Sequence, residues 1–152
     1  EPILLKAVEK TNENQLEKIF QIMNKKLGNL KDKQIGILGL SFKEDSDDIR
    51  ESRSIKLIKI LLKQKCKIKV HDPKAMNNTK LIFKNKITYS KLISDTINDT
   101  DCIIIMTPWK EYTKLKNNDF KNMKKKLVID TRRIFSEKKM SVDYIALGIG
   151  GD

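Results

Sequence analysis

Histidine occurs once in this chain, cysteine twice and arginine four times, against a background rich in lysine. His71 ends a predicted strand with no cysteine, histidine or serine beside it, so metal binding and nucleophile–base catalysis, which need a constellation, find no support there. Cys66 and Cys102 lack CxxC spacing and stand at the start of two predicted buried strands, which reads as core thiols. No apolar run approaches the roughly 20 residues needed to span a bilayer. The N-terminus lacks the basic, apolar and small-residue order of a secretion signal. The expectation is a soluble, cytoplasmic protein without membrane contact. Gly36 and Gly39 give GxxG rather than GxGxxG, with Phe42 where the third glycine of a dinucleotide fingerprint would stand. The structural alternative is that Gly36 admits a neighbouring backbone and Gly39 serves a turn.

What is abundant is positive charge. The formal net charge is +12 and the pI about 9.6, which raises the question of nucleic acid, since phosphate backbones are held chiefly by Lys and Arg. Lysine, however, is spread over every segment, whereas arginine occurs only at Arg50, Arg53, Arg132 and Arg133, in two places just after predicted strands. Arginine reads phosphate and carboxylate bidentately and lysine acts as a solvated point charge, so the arginines carry the site information. Solvated lysine faces are the expectation. A free-standing basic module for nucleic acid or another polyanion is the alternative, and a structural or dimerisation domain with a vestigial pocket is a third.

Residues 34–54, QIGILGLSFKEDSDDIRESRS, organise the rest. Ile35, Ile37, Leu38 and Leu40 read as a buried strand. A charged loop follows, with Lys43 and four carboxylates over residues 44–48, which are expected to hold and orient that lysine. Ser52 or Ser54 is placed to cap the next helix, with Ile55, Ile58, Leu61 and Leu62 on its apolar face. Further strands are predicted over 66–71, 86–89, 101–107, 126–131 and 143–147. Residues 74–85 read as a polar connection with room for a short helix, and helical segments are predicted over 91–97 and 109–115, with Trp109 packing at a strand end. Before the first strand, Val8, Leu16, Ile19, Phe20, Met23 and Leu27 mark a long amphipathic helix ending at Gly28. Its Leu16, Phe20, Met23 and Leu27 face is expected to be buried outside the α/β core, against a second copy in a homodimer or a further domain. The start at Glu1-Pro2 reads as that of a fragment. Alternating strands and helices predict an α/β, Rossmann-like, doubly wound sheet, mostly parallel, of about five or six strands with a long N-terminal helix. The expected division is 1–30 for that helix and 31–152 for one α/β domain. In such sheets ligands sit beyond the carboxyl ends of the strands, which is where the charged loop lies.

The run GLSFKEDSDDIRES resembles the loop that opens the C-terminal domain of the UDP-glucose/GDP-mannose dehydrogenases. His71-Asp72-Pro73 is similar to that family's tyrosine-aspartate-proline, Thr107-Pro108-Trp109 to its threonine-x-tryptophan, and Asp130-Thr131-Arg132 to its aspartate-x-arginine. Asn12 and Gln15 match residues of its interdomain helix. The resemblance implies an NAD-dependent oxidation of a nucleotide sugar's hydroxymethyl carbon to a carboxylate, by two hydride transfers through a thioester on a cysteine. It places that cysteine in a central domain and most of NAD on an N-terminal domain, so that this chain would be the C-terminal UDP-sugar-binding part, not catalytic alone. It implies Phe42 lining the nucleotide pocket, Lys43 reaching the sugar nucleotide, Arg132 contacting its nucleotide or sugar portion across a subunit cleft, and Arg50 contacting NAD. Glu44 stands where relatives often have a second lysine, and the sugar stays unassigned.

Overall fold

The apolar run beginning at Ile35 becomes the centre of a sheet because both its edges are paired and both its faces covered. In the computed structural model, which describes residues 2–135 and 139–147 with side chains from residue 13 onward, this run is β1 (Gln34–Leu38). It pairs in parallel with β2 (Lys67–His71) on one side and β4 (Cys102–Ile105) on the other. Beyond these lie β3 (Thr88–Tyr89), β5 (Leu127–Asp130) and β6 (Asp143–Ala146), all parallel, in the order β3-β2-β1-β4-β5-β6. The described residues thus form the doubly wound sheet that the alternating pattern predicts, with its topological switch point between β1 and β4. The connections carry α1 (Pro2–Leu27), α2 (Arg53–Lys63), α3 (Met76–Phe83), α4 (Ile93–Ile97) and α5 (Lys110–Thr113), with short 3₁₀ turns at Lys84–Lys86 and Asn117–Phe120. The side chains of Val8 and Asn12, and the tail 148–152, lie outside the described residues.

The period of two along each strand divides the core into two layers. Ile35, Ile37, Cys102, Ile104, Leu127 and Ile129 face one side, packed with Ile55, Ile58 and Leu61 of α2. Leu38, Ile103, Ile105 and Val128 face the other, packed with Trp109, Tyr112, Phe120 and Phe135. Gly36 is required by this packing: a Cβ there would lie 2.6 Å from the Thr96 carbonyl oxygen of α4.

The long helix departs from expectation. Leu16, Ile19, Met23 and Leu27 are buried in the same layer as Ile35, Ile37 and Ile58, so the helix spends its apolar face on its own sheet rather than outside it. The reason is geometric. A sheet of this kind needs cover on both faces, and α2 alone is too narrow to cover β1, β4 and β5. Phe20 is only partly buried and lies with Leu16, Glu13, Glu17, Ile60 and Gln64 along a shallow groove between α1 and α2. The helix ends as its sequence predicts, with Gly28 at φ 73° and its N–H bonded to the Asn24 carbonyl at 2.9 Å.

His71 is a core group. The Tyr112 hydroxyl donates to the His71 carbonyl at 3.0 Å and contacts Nδ1 at 2.8 Å. A hydroxyl has a single proton, so with that proton on the carbonyl the second contact calls for a proton on Nδ1. Burial lowers the pKa of this imidazole below its ordinary value, against weaker upward pulls from Glu111 and Asp72.

Two outcomes follow from the packing. Met23→Ala should destabilise the chain by about 2–5 kcal/mol, lowering the thermal midpoint by at least about 4 °C, while Phe20→Ala costs clearly less; a midpoint indifferent to Met23→Ala would return the helix to a partner. The second concerns pH. The folded-state pKa of His71 lies below the unfolded value of about 6.5, so stability is complete above that value and declines as pH falls from it through the folded pKa. Denaturant midpoints should therefore drop on going from about pH 7.5 to about pH 5, and His71→Gln should flatten this part of the profile. An unchanged profile would remove His71 as its cause.

Candidate functional site

At the carboxyl edge of the sheet the backbone of β1 continues into a loop whose course is dictated by one side chain. Asp72, fully buried just beyond β2, accepts the Leu40 and Ser41 N–H groups at 2.7 and 3.1 Å, the Ser41 hydroxyl at 3.2 Å and the Trp109 indole N–H at 3.1 Å on one oxygen. Its other oxygen accepts the Lys74 and Ala75 N–H groups at 2.9 and 2.8 Å, starting the turn into α3. Trp109 is packed, as its position predicts, and also hydrogen-bonded. Gly39 lies at φ 101°, and a Cβ there would fall 2.5 Å from the Thr107 backbone nitrogen. The turn is therefore closed against the end of β4 instead of opening as a pyrophosphate cradle, consistent with the missing third glycine.

The serines act differently from expectation. Ser52 occupies the N-cap position of α2 without capping it; its hydroxyl donates to the Leu40 carbonyl at 2.7 Å, and that of Ser54 to the Gly39 carbonyl at 2.8 Å. Two buried carbonyls have left the β-ladder at this turn and need donors, and this demand outweighs the cap. As a result the first turn of α2 has no side-chain cap and is locked to the end of β1.

Phe42 and Lys43 follow on this loop. Phe42 is 55% exposed, with its N–H bonded to the Asp48 carbonyl at 2.7 Å. Lys43 is exposed and, among the described residues, has no carboxylate within 4.0 Å, so the acidic neighbours do not hold it. Asp48 is taken by Arg50 instead, through Nε at 3.1 Å and a second guanidinium nitrogen at 3.1 Å, because an i,i+2 pair in this turn closes a bidentate fork that lysine cannot make. These bonds hold the Asp48 carboxyl below its ordinary range, with Lys43 adding a lesser pull through space. Arg50 lines a cleft of about 730 Å³ with Asp47, Asn78, Leu81 and Ile82, on the α3 side of the loop. Asn78 ties the two walls by donating to the Asp47 carbonyl at 2.9 Å.

Arg132 stands on the other side of β4, in the turn after β5. Asp130, also fully buried, fixes that turn by accepting the Arg132 N–H at 3.0 Å, the Phe135 N–H at 3.1 Å and the Tyr144 hydroxyl at 2.6 Å, while the Thr131 hydroxyl donates to the Ile105 carbonyl at 2.6 Å. The structure thus brings Phe42, Lys43 and Arg132 to one edge, with Arg50 on the rim facing α3. It also gives a place to Arg53, which the sequence marks with the other arginines but to which it assigns no role. Arg53 opens α2 half-buried, and its pKa is lowered first by burial and then by the nearby charge of Arg132. Its position inside a helical pattern gave the sequence no signal of this proximity. Burial raises the Cys66 thiol to about 11 and raises that of Cys102 as well; neither thiol is set up as a nucleophile. Among the described residues no group of His, Cys, Asp and Glu could hold a metal ion, and no helix is long and apolar enough to cross a membrane.

Comparison with known proteins covers this same edge. Residues 36–137 match the family described as "UDP-glucose/GDP-mannose dehydrogenase family, UDP binding domain". A UDP-glucose 6-dehydrogenase of Haloferax volcanii is 34% identical over 147 residues, covering 97% of this chain and 33% of the relative. One of Rickettsia conorii is 34% identical over 154 residues, covering 95% of this chain and 35% of the relative. Among solved structures, a UDP-glucose dehydrogenase of Pyrobaculum islandicum superimposes with a TM-score of 0.76 at 27% identity, over 97% of this chain and 31% of that one. The chain therefore spans a third, more or less, of its curated relatives. With all four arginines inside the matched span, in the segments that follow β1 and β5, the separate polyanion-binding module finds no support. By the match and by the residues that carry it, this chain belongs to the UDP-glucose/GDP-mannose dehydrogenase family.

Proposed function

We propose that this chain is the nucleotide-sugar-binding domain of an NAD-dependent UDP-sugar 6-dehydrogenase, which oxidises a hydroxymethyl carbon to a carboxylate. The observation that carries the reading is the match of residues 36–137 to a UDP-binding domain, together with Phe42, Lys43 and Arg132 collected at the matched sheet edge. On this reading Phe42, exposed and held by its backbone N–H to the loop, lies against the nucleotide. Lys43 and Arg132 approach the sugar nucleotide from either side of β4, both free of carboxylate partners among the described residues. Arg50 contacts NAD from the rim, where the cofactor, when bound, supplies the hydride acceptor. The closed Gly39 turn fits a domain that leaves most of the dinucleotide to another part of the enzyme.

The full enzyme extends the same proposal. The relatives' greater length leaves room for a dinucleotide-binding domain and a central domain carrying the reactive cysteine, with the helix over residues 1–30 leading in from the latter and 31–152 forming the binding domain. The partly buried Phe20 and its groove remain available for a homodimer contact along that helix. A cytoplasmic setting belongs to this proposal too.

Titration calorimetry of the 152-residue chain with UDP-glucose, NAD and single-stranded DNA tests the reading. UDP-glucose should bind in preference to DNA, and Arg132→Ala should weaken it roughly ten- to a hundredfold, the effect of losing a charge-assisted hydrogen bond of about 1.5–3 kcal/mol. No NAD reduction should accompany binding, given the two inert thiols. Equal affinity for DNA, or turnover by this chain, would overturn the assignment.

A further inference from the structure

Arg53 and Arg132 are two guanidinium groups mounted on separate rigid supports at one edge. The first belongs to a helix turn pinned by Ser52 and Ser54 to the Leu40 and Gly39 carbonyls. The second belongs to a turn pinned by Asp130 and Thr131. β4 alone separates β1 from β5, so the two supports stand a strand apart on either side of it. Both residues are half-buried, and among the described residues neither guanidinium has a carboxylate within 4.0 Å. Arg50, three residues before Arg53, is chelated by Asp48 and shows that the loop can satisfy an arginine where none is needed for a ligand. Like charges that are partly removed from water and left unpaired destabilise the free chain, and a bound anion relieves both costs at once. That the charge of Arg132 is felt at Arg53 supports a shared space between them. The uncapped first turn of α2 adds N–H groups at the same end of the same helix.

We propose that Arg53 joins Arg132 in a two-arginine clamp for one phosphate group of the bound nucleotide. The proposal rests on the nucleotide-sugar reading for the identity of the ligand, and it adds Arg53 to the residues that touch it. The shared chemistry is a phosphoanion, which either the sugar nucleotide or the dinucleotide can supply.

The test titrates the 152-residue chain, Arg53→Ala, Arg53→Lys and Arg132→Ala with inorganic pyrophosphate, UDP-glucose and NAD, and follows thermal midpoints with and without pyrophosphate. Pyrophosphate should bind the wild-type chain and lose at least about tenfold in affinity in each alanine variant, with Arg53→Lys intermediate because it keeps the charge but not the fork. A matching loss for UDP-glucose identifies the sugar nucleotide as the source of the phosphate; a loss confined to NAD identifies the dinucleotide. Without ligand, Arg53→Ala should melt no lower than the wild-type chain, since repulsion and a burial cost have been removed. Pyrophosphate should raise the wild-type midpoint and leave that of the variant nearly unmoved. Absence of pyrophosphate binding to the wild-type chain, unchanged affinities in Arg53→Ala and Arg53→Lys, or an unliganded Arg53→Ala that melts lower and responds to pyrophosphate as the wild type does, would each overturn the clamp. UDP-glucose binding by the wild-type chain, with pyrophosphate, UDP-glucose and NAD affinities all unchanged in Arg53→Ala, sinks the clamp and spares the function. Arg53-dependent pyrophosphate binding without UDP-glucose binding does the reverse.

Discussion

The carboxylate of Asp72 sits with no exposed surface at the end of β2, accepting hydrogen bonds from the loop after β1, the turn into α3 and the indole at the end of β4. No cation lies within 4.0 Å of it among the described residues, so the cost of burying the charge is offset by N–H and O–H dipoles alone. Such an arrangement is directional in a way that an ion pair is not. Each donor is a backbone N–H, the Ser41 hydroxyl or the buried Trp109 indole, positioned by its own element, and the carboxylate therefore sets where three segments meet. Residues Phe42 and Lys43 inherit their position from it, because the peptide groups of Leu40 and Ser41 are the last points at which the loop is anchored before it turns outwards.

Asp130 repeats the device three strands along the sheet, at the end of β5. It too is fully buried, and it accepts from backbone N–H groups of the following turn and from the Tyr144 hydroxyl of β6. The candidate site lies between two buried aspartates whose acceptors are consumed by structure, which leaves Arg53 and Arg132 without a carboxylate within 4.0 Å among the described residues. Thr107 links the two halves by donating to the Ser41 carbonyl at 3.0 Å, so the end of β4 is continuous with the β1 loop and forms the floor between them. A sheet with this switch point opens a crevice at that edge by topology. The aspartates decide which residues line it.

Much of this was legible in the sequence, for reasons of periodicity and punctuation. All six strands and the long helix stand where apolar alternation, Gly28 and Pro73 put them, since these signals are local. The three misread features depend on partners distant in sequence or on competition within a short turn. The burial of Leu16, Met23 and Leu27 needs the sheet face that α2 leaves open. Ser52 reads as a cap until the carbonyl of Leu40, 12 residues earlier, is placed beside it. Lys43 reads as held by acidic neighbours until Arg50 claims Asp48. Arg53 stood among the four marked arginines without a role of its own, because a basic residue at the start of a helix has no local mark distinguishing it from a solvated one, and its relation to Arg132 joins two distant parts of the chain.

Arg50, Arg53 and Arg132 differ in what a ligand must displace to reach them. Arg50 is 88% exposed at its side chain and paired with Asp48 in water, where solvent screens the attraction, so an incoming anion can replace the carboxylate at little cost. It is suited to a contact that is readily made and broken. Arg53 and Arg132 have already lost part of their hydration and have gained no carboxylate in return. An anion entering between them exchanges few protein contacts and less water, and a larger share of its attraction survives as affinity. The lysines, solvated and spread over the surface, add a long-range field that draws anions to the molecule and fades with salt. Affinity that resists added salt then belongs to the half-buried pair, and affinity that vanishes with it belongs to the lysine field.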